Sequence, residues 1–205
     1  MKNTIKILLI LLSVFLLSGC TVVRIRTDKI DTIINVILSK DNDLYNTVGK
    51  GYKYYKPRGV TSIDVSEYNE KLYSKGQYYY LYVDINNYYY KKEFTYTEKD
   101  DCYYSKYIDI NGKTGYLEIN KQEDGNYLFE FLYNYSKIES LVEEKNINDV
   151  VLNASYILST IKYNSDVIKL MLNEDYFTNQ EEKYDIFTPK VESSDFLKYD
   201  VGSGE

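Results

Sequence analysis

The alternation of apolar and polar residues divides the chain into segments of different period. Ile30, Ile33, Ile34, Ile37 and Leu38 recur at helical spacing and predict an amphipathic helix over 28–40, capped by Thr27 or Asp28 and ended by Asp41-Asn42-Asp43. The period then becomes two. Tyr52 to Lys56 reads as a strand, Pro57-Arg58-Gly59 as a turn, and Ser62 to Val65 as a short second strand. Ser66 to Lys75 is polar and reads as a loop.

The stretch QYYYLYVDINNYYYKKEF, 77–94, allows a test of register. If Asn86-Asn87 forms a type I′ turn, Val83 faces Tyr90, Leu81 faces Lys92 and Tyr79 faces Phe94. Tyr79, Leu81, Val83 and Ile85 then share a core face with Tyr88, Tyr90, Phe94 and Tyr96. Tyr78, Tyr80, Tyr82 and Tyr89 share the opposite face with Asp84, Lys91 and Glu93. Ile110-Asn111-Gly112-Lys113 signals a second hairpin, which places Tyr104, Ile108 and Ile110 with Leu117 and Ile119. A turn at Lys121–Asn126 follows. The strong strand Tyr127–Tyr135, with Phe129, Phe131 and Tyr133 on one side, is read as running on through Ile138 towards Val142.

Helical period returns at Ile147, Val150, Val151, Ala154, Ile157, Leu158 and Ile161, predicting a helix over 147–162 with Asn146 or Asn148 as cap. Ser165-Asp166 caps a shorter helix with Val167, Ile168, Met171 and Leu172 inward. Tyr184–Phe187 reads as a late strand ended by Pro189, and 190–205 as a disordered tail. The expected fold is α+β: an antiparallel meander of five or more strands packed with an N-terminal helix and C-terminal helices, one domain over 28–189.

Before that domain comes MKNTIKILLILLSVFLLSGC. Lys2 and Lys6 precede an apolar run, Ile7–Leu17, of signal-peptide length and too short for a comfortable membrane span. The run ends in Leu17-Ser18-Gly19-Cys20, which resembles the lipobox of bacterial lipoproteins. The resemblance implies a signal peptide over 1–19, cleavage between Gly19 and Cys20, and a diacylglycerol on the Cys20 thiol, with 20–27 as a tether. Two acyl chains make an attachment durable where one holds only marginally. The positive n-region stays inside, so the body faces the extracytoplasmic side of the cell membrane.

The chain of 205 residues has 31 acidic and 25 basic residues, and cleavage would remove Lys2 and Lys6 and no acid. That balance argues against nucleic acid or anionic lipid as partners, because both need basic footprints. Arg24 and Arg26 are the only basic pair near the anchor, enough to touch headgroups and no more.

The absence of His removes Ser-His-Asp, Cys-His and His–zinc chemistry. With Cys20 lipidated, Cys102 stands alone after Lys99-Asp100-Asp101, an acidic setting that raises a thiol pKa. No nucleotide-binding fingerprint is present. Glu143, Glu144, Asp100 and Asp101 are the acids an envelope hydrolase would draw on, and a solvated edge explains them better. A calcium loop starting at Asp41 fails, because Asn46 and Tyr52 stand where Gly and Glu are needed. No catalytic residue, metal site or cofactor is therefore assigned.

The 26 tyrosines have AT-rich codons, as do the abundant Lys, Asn and Ile, so genome composition accounts for much of the excess. Even so, Tyr78, Tyr80, Tyr82 and Tyr89 form a candidate binding surface, since flat aromatics with polar tips give large contact area at low entropic cost. The expected function is that of a membrane-anchored, non-catalytic lipoprotein that binds an envelope protein or serves in assembly. The alternative is a ligand- or cell-wall-glycan-binding lipoprotein.

The ordering of elements is similar to the PsbP-like fold, through Tyr54-Tyr55-Lys56-Pro57-Arg58-Gly59 and the closing Ile157-Leu158-Ser159-Thr160-Ile161. Members of that group are often non-enzymatic binding or accessory proteins, and lipoproteins occur among them.

Overall fold

The computed structural model describes residues 29–66 and 68–172. Helix α1 (Ile30–Leu38) buries Ile33, Ile34, Ile37 and Leu38, the stripe its periodicity predicted. Lys29 occupies the N-cap without a side-chain bond, and Asp31 in the first turn complements the positive end of the helix. The proposed caps Thr27 and Asp28 lie outside the described residues.

Two sheets follow. In the smaller, β2 (Tyr52–Tyr54) pairs antiparallel with β1 (Thr47–Gly49) on one side and β10 (Lys162–Tyr163) on the other. The larger is seven-stranded and antiparallel throughout. Its strands are β3 (Thr61–Ser66), β4 (Asn69–Ser74), β5 (Gln77–Val83), β6 (Tyr104–Ile110), β7 (Lys113–Lys121), β8 (Tyr127–Tyr133) and β9 (Ser136–Val142), in the spatial order β3-β4-β5-β9-β8-β7-β6. Two meanders, β3–β5 and β6–β9, are thus joined edge to edge through β5 and β9.

The segment read as a loop, 66–75, contains β4. Its inward positions are Glu70, Leu72 and Ser74, of which only Leu72 is apolar, so the alternation carries no hydrophobic signal. The strand read as continuous to Val142 is two strands. Asn134 and Tyr135 turn the chain at φ 50° and 61°, and an aromatic residue is not an expected turn former at positive φ.

The hairpin at Asn86-Asn87 does not form. Asp84 instead caps a short helix, α2 (Ile85–Tyr89), accepting from the Asn87 backbone N–H at 2.8 Å. β5 pairs with β4 and β9, not with residues 90–96. As a result Tyr90 is 61% exposed, and Phe94 and Tyr96 pack on the opposite side of the sheet from the main core.

Helix α3 (Ile147–Thr160) lies against the inner face with α1, burying Ile147, Val150, Val151, Ala154, Ile157 and Leu158. These meet Tyr79, Leu81, Val83, Leu117, Ile119, Phe129, Phe131 and Ile138 in one continuous core. Helix α4 (Ser165–Met171), capped by Asn164 through the Val167 N–H at 3.1 Å, adds buried Ile168. Val167, expected inward, is exposed. The fold is α+β, with the antiparallel sheet covered by helices on one face. The late strand at 184–187 and the tail lie outside the described residues.

Candidate functional site: the outer face of the sheet

Strand alternation sends Lys71, Tyr73, Tyr78, Tyr80 and Tyr82 to the face opposite the helices. Register then defines one continuous row across six strands: Lys71, Tyr80, Glu139, Glu130, Glu118 and Ser105. Three glutamates stand directly opposite one another on β9, β8 and β7, an arrangement that is unfavourable unless each charge is compensated.

The compensation comes from two lysines, two tyrosines and an asparagine. Lys137 on β9 pairs with Glu139 and lies 3.8 Å from Glu130. The Tyr116 hydroxyl donates to Glu130. Glu118 accepts from the Tyr96 hydroxyl at 2.7 Å, from Lys99 Nζ at 2.9 Å and from Asn120 Nδ2 at 2.6 Å. Burial raises Glu130, and Lys137 and Tyr116 oppose that without overcoming it, so its carboxyl titrates above the usual range. Burial also pushes Glu118 upward, but its three donors together outweigh the effect and hold it below the usual range.

Tyr96 and Lys99 belong to a strap, residues 91–103, that connects α2 to β6. Because β5 and β6 are separated by β9, β8 and β7, the connection must cross four strand spacings, about 19 Å. It crosses on the outer face. The Tyr96 ring stacks on Tyr116 at 4.3 Å and 4°, and both pack with Phe94, Leu132 and Tyr82 in a second, small apolar cluster. At the far edge Glu98 accepts the Tyr107 backbone N–H at 2.8 Å, satisfying a donor on edge strand β6. Burial, with Glu118 and Asp101 nearby, pushes the Cys102 thiol above its usual range.

The four tyrosines singled out by sequence therefore separate. Tyr78, Tyr80 and Tyr82 share the outer face. Tyr82 is half-buried against the strap cluster, and Tyr80 is only 6% exposed. Tyr89 sits on α2, packed against the main core and edge-on to Tyr90 at 5.3 Å, and does not join them. The open part of the face lies over β4 and β5. There the rings of Tyr73 and Tyr78 meet at 5.1 Å, and Lys71 Nζ lies 4.5 Å from the Tyr78 ring and 5.6 Å from that of Tyr80. Lys71 and Tyr73 were missed because β4 was read as loop. The glutamate row was in reach of sequence reasoning only once β8 and β9 are separated.

The remaining acids are dispersed. Glu143 pairs with Lys145 at 2.5 Å, Glu144 accepts from Tyr127 at 3.3 Å, and Asp43 pairs with Lys162, which also lies 4.0 Å from Asp41. Asp100 and Asp101 are exposed. Cys20 and Gly19 lie outside the described residues, and among the described residues no helix is long and apolar enough to cross a membrane. Comparison with family models, curated proteins and solved structures finds no match.

Proposed function

We propose that the chain is a lipoprotein anchored to the extracytoplasmic face of the cell membrane by a diacylglycerol on Cys20, and that its body is a non-catalytic module binding an envelope protein. The observation that carries the anchor is Leu17-Ser18-Gly19-Cys20 directly after the apolar run Ile7–Leu17. The binding face in this reading is the open half of the outer sheet, Lys71, Tyr73 and Tyr78, with the largely covered Tyr80 beside them. Two tyrosine rings in tilted contact, with a lysine ammonium near one of them, give a rigid, amphipathic surface of the kind that protein interfaces favour. The PsbP-like resemblance, with its accessory proteins, belongs to the same proposal.

Replacing Cys20 by Ser should release the protein from the membrane fraction. Replacing both Tyr73 and Tyr78 by Ser should abolish capture of a stoichiometric envelope partner and leave thermal unfolding cooperative. Retention of both variants at the membrane with the partner unchanged defeats the reading. A second reading, cell-wall glycan binding, is favoured by the partly exposed Tyr73–Tyr78 pair, on which a sugar face could stack. Retention on purified cell wall without any protein partner selects it over the first.

A further inference from the structure

The acidic balance of the whole chain hides a local exception. From Leu44 to Ile63 the sequence holds four bases, Lys50, Lys53, Lys56 and Arg58, and no acid. Lys56 turns inward and lies 3.6 Å from buried Glu70. Lys53 does not. Alternation along β2 sends Tyr52 and Tyr54 into the core and Lys53 to the opposite, outward face of the small sheet. Register sets Val48 of β1 and Lys162 of β10 on either side of it, so the three form one outward row.

This face is apolar where it is most exposed. Val48 is 74% exposed, Leu44 58% and Tyr45 53%. Lys53 Nζ lies 4.0 Å from the centre of the Tyr45 ring, so Tyr45 and Val48 both border one ammonium. The acids at the rim, Asp41 and Asp43, are placed against Lys162 and not Lys53. Single exposed apolar residues need no explanation, but a cluster of them around a cation marks a contact surface.

The occupant follows from the chain that precedes the domain, and this step rests on the Cys20 anchor proposed above. The nine residues from Cys20 to Lys29 span at most about 30 Å. Helix α1 is about 14 Å long, and Leu44 follows soon after its far end. The face around Val48 is therefore within reach of the bilayer surface. Apolar tips, a tyrosine, and a lysine whose stem lies along them while its ammonium meets a phosphate match the boundary between acyl chains and headgroups. A tether this short keeps even a weak contact filled, because it sets a high effective concentration. We infer that the outward face of the three-stranded sheet, formed by Leu44, Tyr45, Val48 and Lys53, rests on the bilayer that carries the anchor, with its apolar side chains at the headgroup boundary and Lys53 against lipid phosphate.

The test uses protein isolated from membranes with its N-terminal lipid and placed in vesicles of phosphatidylglycerol and phosphatidylcholine. In a Cys102→Ser background, Val48→Cys carries a nitroxide label. Leu141→Cys is the control, exposed on β9 and distant from Ser136, where that strand meets Tyr163 of β10. The label at position 48 should relax more with oxygen, which partitions into lipid, than with a water-soluble nickel chelate, and the label at position 141 should do the reverse. Adding Tyr45→Ser and Lys53→Glu should give position 48 the aqueous pattern while the protein still floats with the vesicles. Protein that floats with position 48 in water, or a pattern at 48 indifferent to the added substitutions, overturns the inference and leaves the anchor standing. Dipolar broadening between labels at 48 assigns the face to a second copy and overturns it too. Protein that does not float with the vesicles defeats the anchor, and this inference with it.

Discussion

Glu118 and Glu130 stand directly opposite each other on β7 and β8, yet their proton affinities are displaced in opposite directions. Both are buried. What separates them is supply: Glu118 has three donors, two of them from the strap, whereas Glu130 has the Tyr116 hydroxyl and a lysine at 3.8 Å shared with Glu139. Two like charges in one low-dielectric row are tolerated because only one is fully solvated by the protein.

The sign of each shift gives a prediction. Glu130 is raised, so the folded state binds its proton more tightly than the unfolded state. Its contribution is most favourable below the unfolded pKa and is lost as pH rises through the folded pKa. Glu130→Gln keeps an acceptor for Tyr116 and removes the buried charge. The variant should unfold at higher temperature than the parent at pH 7, and the advantage should shrink as pH is lowered towards the carboxylate range. Differential scanning calorimetry across pH checks both parts, and a variant less stable at pH 7 opposes the account.

Glu118 behaves in the reverse sense. Its folded pKa is depressed, so its contribution is present above the unfolded pKa and lost as pH falls through the folded one. Because Tyr96 and Lys99 hold the strap to it, acid should loosen residues 94–103 before the sheet. Lys99→Met should cost about 1–2 kcal/mol by leaving a buried carboxylate short of a donor. Hydrogen exchange should quicken in the strap while β7 and β8 stay protected. Uniform acceleration across the sheet would show that the strap is not an independent unit.

Gly115 tests the packing of β7 on β8. A Cβ there would meet the Leu132 carbonyl oxygen at 2.0 Å and Tyr133 Cα at 2.8 Å, both backbone atoms. Gly115→Ala should destabilise by about 3 kcal/mol or more, because the sheet must open to admit the methyl group. Denaturant unfolding measures this, and a loss under about 1 kcal/mol contradicts the register assigned to β7 and β8.

The elements that were legible in the sequence have side chains and turns that agree. Asn111-Gly112 turns at φ 55° and 68° as its residue types require, and α1 and α3 bury the stripes their periods define. The illegible elements are those in which residue type and role part company. Asn86-Asn87 suits a type I′ turn and equally the first turn of a helix, and Asp84, three residues before Asn87, decides for the helix. Tyr135 turns the chain at φ 61° with no local signal. β4 carries a buried glutamate, Glu70, that is explained only by Tyr54, Ser62 and Lys56, all distant in sequence. Alternation along β5 puts Tyr78, Tyr80 and Tyr82 on one outer face, but the fourth tyrosine of that reading, Tyr89, lies on α2 and not on the sheet. What covers half of that face was not legible, because the strap's crossing follows from the placement of β9 beside β5, a long-range pairing.

The central claim is the anchor, and the mass of the N-terminal peptide of the protein isolated from membranes tests it most directly. The account predicts a chain that begins at Cys20 with a diacylglyceryl group on its sulfur, and a Cys20→Ser variant that lacks it. A chain that begins at Met1 with an unmodified Cys20 would contradict the account.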